Sequence, residues 1–284
     1  MRLFWLTALT MVAFSANSVL NRWALLDGDS GPAAFQALRV LSGALTLGLI
    51  LSFRGGLPKL WTPNRAWGTG SLLLYMIGFS FAYVALDAGA GALILFGGVQ
   101  ITMFAGALLK GDKPHILRWI GAGIAFLGLI WLLLPVGVSA PPLGAALLMG
   151  LAAIGWGVYS LVGRQAANPL AETGANFICA APFSLAIWLI IPDGLSASAA
   201  MLAVISGAVT SGLGYALWYS VLPKLDTTIA ALAQLTVPVI AVVGGVMLLG
   251  EVLTQQLVFA SIIVLGGVAA GVFAPQRKMG SSGS

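Results

Sequence analysis

The chain has 284 residues, of which 60% are apolar and only 7% charged, against roughly 25% charged in a soluble domain. With 13 basic and 8 acidic residues and a mean hydropathy of +1.02, the composition excludes a water-soluble globule and points to a polytopic membrane protein. The single cysteine, Cys179, excludes an internal disulfide and a cysteine-based metal cluster.

A hydrocarbon core of roughly 30 Å takes about 20 helical residues per crossing. Breaks at charged or Pro/Gly clusters predict spans near 4–25, 32–53, 66–86, 89–109, 116–134, 142–163, 171–191, 198–221, 228–249 and 254–273. The first is read as a retained span rather than a signal peptide, because the apolar run continues past Val12 to about Leu26 without a small-residue cleavage site. Continuous apolar runs without in/out alternation make the spans helices. The expected fold is therefore an all-α membrane protein of ten transmembrane helices, leaving 276–284 as a cytoplasmic tail whose last residues, Met279–Ser284, read as an expression scar.

With the N-terminus inside, the inner loops carry Arg2, Arg54, Lys59, Arg65, Lys110, Lys113, Arg118, Arg164, Lys224, Arg277 and Lys278, which is 11 of the 13 basic residues. The outer side keeps Arg22, and Asp27, Asp29, Asp87, Asp193 and Glu251 all fall there. This asymmetry follows the positive-inside rule and places both termini in the cytoplasm.

The chain also repeats itself. A shift of 139 pairs Leu86-Asp87 with Leu225-Asp226, Ala92-Leu93 with Ala231-Leu232, Gly106 with Gly245 and Gly111-Asp112 with Gly250-Glu251; a shift of 142 pairs Ser18 and Arg22 with Ser160 and Arg164. Two five-helix units result, 1–137 and 138–275. Because five is odd, the second crosses in the opposite sense, an inverted repeat of the kind used for alternating access around a mid-membrane site. These features resemble the EamA group of the drug/metabolite transporter superfamily, and within it YddG-type aromatic amino-acid exporters. The resemblance implies an inner-membrane carrier with a cavity lined by helices 1, 3, 4, 6, 8 and 9, and helices 5 and 10 set apart. The first repeat departs from symmetry at Val99, which stands where the second has Pro238, the expected hinge of span nine.

Candidate cavity residues follow in chain order. Asn17, Gln100 and Gln234, on spans one, four and nine, carry amides that lipid cannot satisfy. They serve either as interhelical ties or as ligands for the amino and carboxyl groups of a zwitterion, with Ser15, Ser80, Ser160 and Ser211 assisting. Tyr75, Phe79 and Tyr83 recur at i, i+4, i+8 on span three, and Tyr215, Trp218 and Tyr219 share a face of span eight, with Trp156 and Tyr159 on span six. Such rings suit a flat apolar substrate with a polar end, or simply pack; Trp5, Trp61, Trp67, Trp119 and Trp188 read as interfacial belt residues. Arg39, the one basic residue inside a span, either snorkels outward or captures a substrate carboxylate. Asp87 and Asp226 fit helix N-caps. Gly267-x-x-x-Gly271 permits close helix contact and leaves a monomer or a weak homodimer open.

No acid or histidine lies deep in a span, and there is no phosphate-binding loop, nucleophile or metal arrangement. The expectation is therefore a transporter rather than an enzyme, without cofactor, metal or nucleic-acid partner. It sits in the lipid bilayer and exports amphipathic metabolites, foremost aromatic and apolar amino acids, without proton coupling through a protein carboxylate. A broad drug or nucleoside exporter and a non-transporting lipid-handling subunit are the alternatives.

Overall fold

The computed structural model describes residues 1–273 apart from 27, 57, 58, 61, 64, 110, 112, 113, 136–139, 165 and 226. The expected cap Asp226, the charges Asp27, Lys110, Lys113, Arg277 and Lys278, belt residue Trp61, Asp112 of the Gly-Asp pair, the 137/138 repeat boundary and the 279–284 scar lie outside the described residues.

The described residues form helices throughout: α1 (Arg2–Leu25), α2 (Pro32–Phe53), α3 (Arg65–Ala82), α4 (Ala88–Leu109), α5 (Ile116–Leu133), α6 (Leu143–Gly163), α7 (Pro169–Ile190), α8 (Ala197–Val204), a π-helical segment (Ile205–Leu213), α9 (Gly214–Val221), α10 (Thr227–Gln234), α11 (Thr236–Leu249) and α12 (Gln255–Val272), with a short 3-10 turn after α9. The eighth span is α8, the π segment and α9 in sequence, and the ninth is α10 followed by α11. Among the described residues nine segments are long and apolar enough to cross a membrane. The remaining span, α3, starts with Arg65 and a Gly/Ser/Thr-rich turn, which dilutes its apolar character although it is packed inside the bundle. The protein is a multi-pass, all-α membrane protein.

Pro238 explains why span nine is two helices while α4 runs unbroken. A proline has no N–H to donate and its ring crowds the carbonyl four residues back. The helix accordingly stops at Gln234 and restarts at Thr236, so Pro238 falls in the first turn of α11, where an N–H has no intrahelical partner in any case. The Gly-Asp and Gly-Glu pairs also acquire a reason. Gly111 and Gly250 have φ of 83° and 67°, a left-handed conformation that favours glycine after a helix end.

Packing groups the helices as α3 with α6, α2 with α7, α4 with α6, α1 with α11, α1 with the α8–α9 span, and α5 with α12. Each of these pairings has a counterpart five spans along. Glycine sets the close approaches: a Cβ at Gly155 would lie 2.6 Å from the Tyr75 backbone nitrogen, and one at Gly121 would lie 2.5 Å from the Gly267 carbonyl oxygen. Gly267 is thus used inside the chain, against α5. Along α5 only Gly121, Ala125, Gly128 and Leu132 are buried, one stripe facing α12, and the rest of its apolar surface faces outward as lipid-exposed surface must. Gln256 caps the pair by donating to the carbonyls of Trp131, Leu132 and Leu134 at the α5 C-terminus.

Candidate functional site

An aromatic column runs through the middle of the bundle. Tyr83 meets Phe79 edge-on at 4.7 Å, Phe79 meets Tyr75 at 5.3 Å, and Tyr75 meets Trp156 at 4.9 Å. Trp156 then stacks on both Tyr159 (5.4 Å, 24°) and Tyr215 (5.5 Å, 27°). Helical periodicity places 75 and 79 on one face of α3, and the small Gly155 lets α6 come close enough for Trp156 to reach them. Tyr159 donates to Thr173 Oγ1 (3.0 Å), which donates to Tyr219 (3.3 Å). Tyr219 in turn lines a cleft of about 540 Å³ with Leu51, Arg54, Asn168, Leu170 and Ala216, between the ends of α2, α7 and α9. The column therefore connects the buried centre with a cleft at the end of the molecule that carries Arg54 and Lys59, called here the basic end.

The opposite, acidic end is tied shut. Asp193, between α7 and α8, accepts from the amides of Ala33 and Ala34 at 2.8 Å each, capping α2. Glu251, after α11, accepts from the amide of Ala88 at 2.7 Å, capping α4. In both cases a carboxylate from a loop more than 150 residues away meets the positive end of a helix dipole. Glu251 therefore occupies the role expected of Asp87, whose own carboxylate lies 3.8 Å from Arg22. Arg22 also donates to the carbonyls of Tyr83 and Val84, and the Tyr83 hydroxyl donates to the carbonyl of Ala88. At the basic end Arg65, on α3, pairs with Glu172 at 2.7 Å and with Asn176 at 2.9 Å on α7.

Arg39 sits at the centre of the polar part of the site. It is 0% exposed, so it does not snorkel. Its Nη2 donates to the Tyr75 hydroxyl (3.2 Å) and to Ser211 Oγ (3.4 Å), and its guanidinium carbon lies 4.9 Å from the Phe79 ring centre and 5.7 Å from that of Tyr75. Ser211 passes the network on to Asn17 Oδ1 at 3.3 Å, and the same oxygen accepts from Ser206 (2.8 Å) and Thr210 (2.7 Å). One acceptor can collect hydroxyls from residues 206, 210 and 211 because the wider π turn brings positions four and five apart onto one face.

Residues 143–272 match the EamA-like transporter family. An uncharacterized protein of Pseudomonas aeruginosa is 46% identical over 275 residues, covering 95% of this chain and 94% of that protein. The second half of this chain is thus similar to the EamA-like transporters. The threonine/homoserine exporter RhtA of Salmonella typhimurium is 33% identical over 188 residues, 61% of this chain and 59% of the exporter. A solved crystal structure, 20% identical, superposes with a TM-score of 0.64 over 92% of this chain and 96% of its own, which shows a shared fold.

Among the candidate residues of this EamA-like chain, Tyr75, Phe79, Trp156, Tyr159 and Tyr215 come together in the column. Tyr83 closes its acidic end. Trp218 is buried beside Phe14 of α1, 6.0 Å away, and Phe14 also meets Tyr215 at 5.6 Å. Asn17 is engaged as an interhelical tie between α1 and the π segment. Gln100 and Gln234 are half-buried on α4 and α10, and no side-chain bond joins either to another described residue. Sequence reasoning passed over Thr173, Thr210, Asn21, whose Nδ2 donates to Ser80, and the capping role of Asp193. The cluster Ser206, Thr210 and Ser211 beside Gly207 and Gly212 was the legible sign of the π segment.

Proposed function

We propose that this EamA-like transporter exports aromatic and apolar amino acids from the cytoplasm across the inner membrane by alternating access. The observation that carries the reading is the aromatic column from Phe79 through Trp156 to Tyr215, which leads on through Tyr159, Thr173 and Tyr219 to a cleft at the basic end while caps hold the acidic end together. Rings within about 4.5–7 Å of one another in offset or edge-on arrangements form walls that favour a further flat ring. The resemblance to YddG-type exporters supports the same substrate class. The positive-inside distribution supports a cytoplasmic basic end and cytoplasmic termini, so that the cleft faces the compartment from which an exporter loads.

Exchange of partners five spans apart in the helix pairings supports two inverted units, 1–137 and 138–275, and the break at Leu235 supports Pro238 as a hinge between α10 and α11. Asn17, Gln100, Gln234, Tyr83 and Trp218 complete the proposed cavity. Among the described residues no acid lies in the bundle centre to titrate, which supports transport along the substrate gradient alone. A second reading, export of threonine-sized amino acids, is favoured by the likeness to a threonine/homoserine exporter and by the hydroxyl chain Tyr159–Thr173–Tyr219.

Net flux of radiolabelled phenylalanine into proteoliposomes, with a substrate gradient but no pH or voltage difference, tests the proposal. Flux should run to equal concentrations and stop; uphill accumulation driven by an imposed pH step contradicts uncoupled export.

A further inference from the structure

The Arg39 guanidinium has five N–H donors. The two on Nη2 face Tyr75 and Ser211 at long range, and those on Nε and Nη1 have no hydrogen-bond partner among the described residues. Neither ion pair found among those residues involves Arg39. The side chain is nonetheless wholly buried, on α2, about 18 Å along the helix from Leu51 in the cleft at 1.5 Å per residue. Unlike a lysine ammonium, a guanidinium keeps its charge on burial. The π faces of Phe79 and Tyr75 and two hydroxyls offset part of the cost of this charge, but they supply no anion. No anion among the described residues completes the arrangement, and a carboxylate brought by a ligand matches the planar fork. Binding it bidentately would replace one long hydroxyl contact at Nη2 with two charged N–H···O bonds.

The other half of a zwitterion finds no equivalent partner. Around Arg39 the polar groups are hydroxyls and the Asn17 amide, whose oxygen already accepts three hydroxyls. Among the described residues no carboxylate stands there for an ammonium. We propose that Arg39 recognises the carboxylate of the ligand and that the α-amino group is dispensable, so the site takes aromatic monocarboxylates with or without an amino group and rejects aromatic amines. This rests on the proposed transport of aromatic amino acids for the apolar half of the ligand, and it adds which charged group is read.

The test is thermal unfolding of the purified full-length protein with three probes of one ring size at equal millimolar concentration: phenylalanine, 3-phenylpropanoate and phenethylamine. A ligand of the folded state raises the unfolding temperature. Both carboxylates should raise it by a few degrees and phenethylamine should leave it unchanged. Arg39→Gln should abolish both shifts, and Arg39→Lys, which keeps the charge but loses the fork, should weaken binding at least tenfold. If Arg39→Gln does not fold, the wild-type series alone decides. A shift with 3-phenylpropanoate but no flux of phenylalanine would overturn amino-acid export while supporting the carboxylate site. A phenethylamine shift equal to that of phenylalanine, no shift with either carboxylate, or full shifts in Arg39→Gln would overturn the carboxylate site.

Discussion

Glu251 accepts a 2.7 Å hydrogen bond from the amide of Ala88, 163 residues earlier in the chain. The bond joins the loop after α11 to the first turn of α4, and it holds the acidic end closed together with the Asp193 cap on α2. Burial raises the Glu251 pKa above the ordinary carboxylate value; the bond from Ala88 opposes the shift, nearby Asp87 adds to it, and Arg22 opposes it more weakly.

That direction gives a pH dependence. A raised native pKa means the folded chain holds the proton more tightly than the unfolded one, so stability is highest below the unfolded value and falls as pH rises through the native value. Unfolding temperature measured from about pH 4 to about pH 8 should fall over the window just above the ordinary carboxylate pKa, and Glu251→Gln should remove that part of the slope. Parallel curves for the two proteins would assign the slope elsewhere.

The amides of spans one, four and nine should separate by phenotype. Asn17 ties three hydroxyls of the π segment, so Asn17→Leu should cost about 1–2 kcal/mol of stability, read as a lower unfolding temperature. Gln100→Leu and Gln234→Leu should leave stability near wild type while weakening substrate binding by about 1–3 kcal/mol, read in KM for transport. Loss of folded protein in the glutamine variants would make them interhelical ties instead.

Trp156 stacks on two tyrosines from different helices, and a ring pair is worth about 0.5–1.5 kcal/mol beyond its buried area. Trp156→Ala should therefore raise KM for phenylalanine roughly 2- to 13-fold or more, while Tyr215→Phe, which keeps the ring, should change it little. Equal effects of Trp156→Ala on phenylalanine and on threonine would point to a packing role.

Much of this architecture was legible in the sequence because lipid imposes a single period and length on every span. The apolar runs located the helices, and the tyrosines and tryptophan of spans three, six and eight do meet. What was not legible depends on partners far apart in the chain. Arg39 gave no sign of which helices surround it, since one residue at one depth is compatible with snorkelling outward or with enclosure. Glu251, not Asp87, caps α4 because the acid that reaches a helix end is fixed by loop geometry, and Gly250 in its left-handed conformation is what turns the chain there. Gly267 signalled a close helix contact but not its partner, which is α5. Pro238 signalled a break in span nine, and the Ser/Thr/Gly cluster of span eight marked the π segment, where Gly207 and Gly212 pack against α2.

Orientation is open to direct labelling. Cysteines introduced beside Asp29, Asp193 or Glu251 in intact cells should react with an impermeant thiol reagent, and those beside Lys59 or Lys113 should react only after permeabilisation. The reverse pattern at any one loop would break the ten-span arrangement.

The most direct test of amino-acid export through the aromatic column is counterflow in proteoliposomes preloaded with each amino acid in turn. Phenylalanine and tryptophan should exchange much faster than aspartate or lysine, whose second charge would be desolvated against the rings of Tyr75, Trp156 and Tyr215 at a cost of several kcal/mol. Equal rates for aspartate and phenylalanine, or no counterflow with any aromatic amino acid, would contradict it.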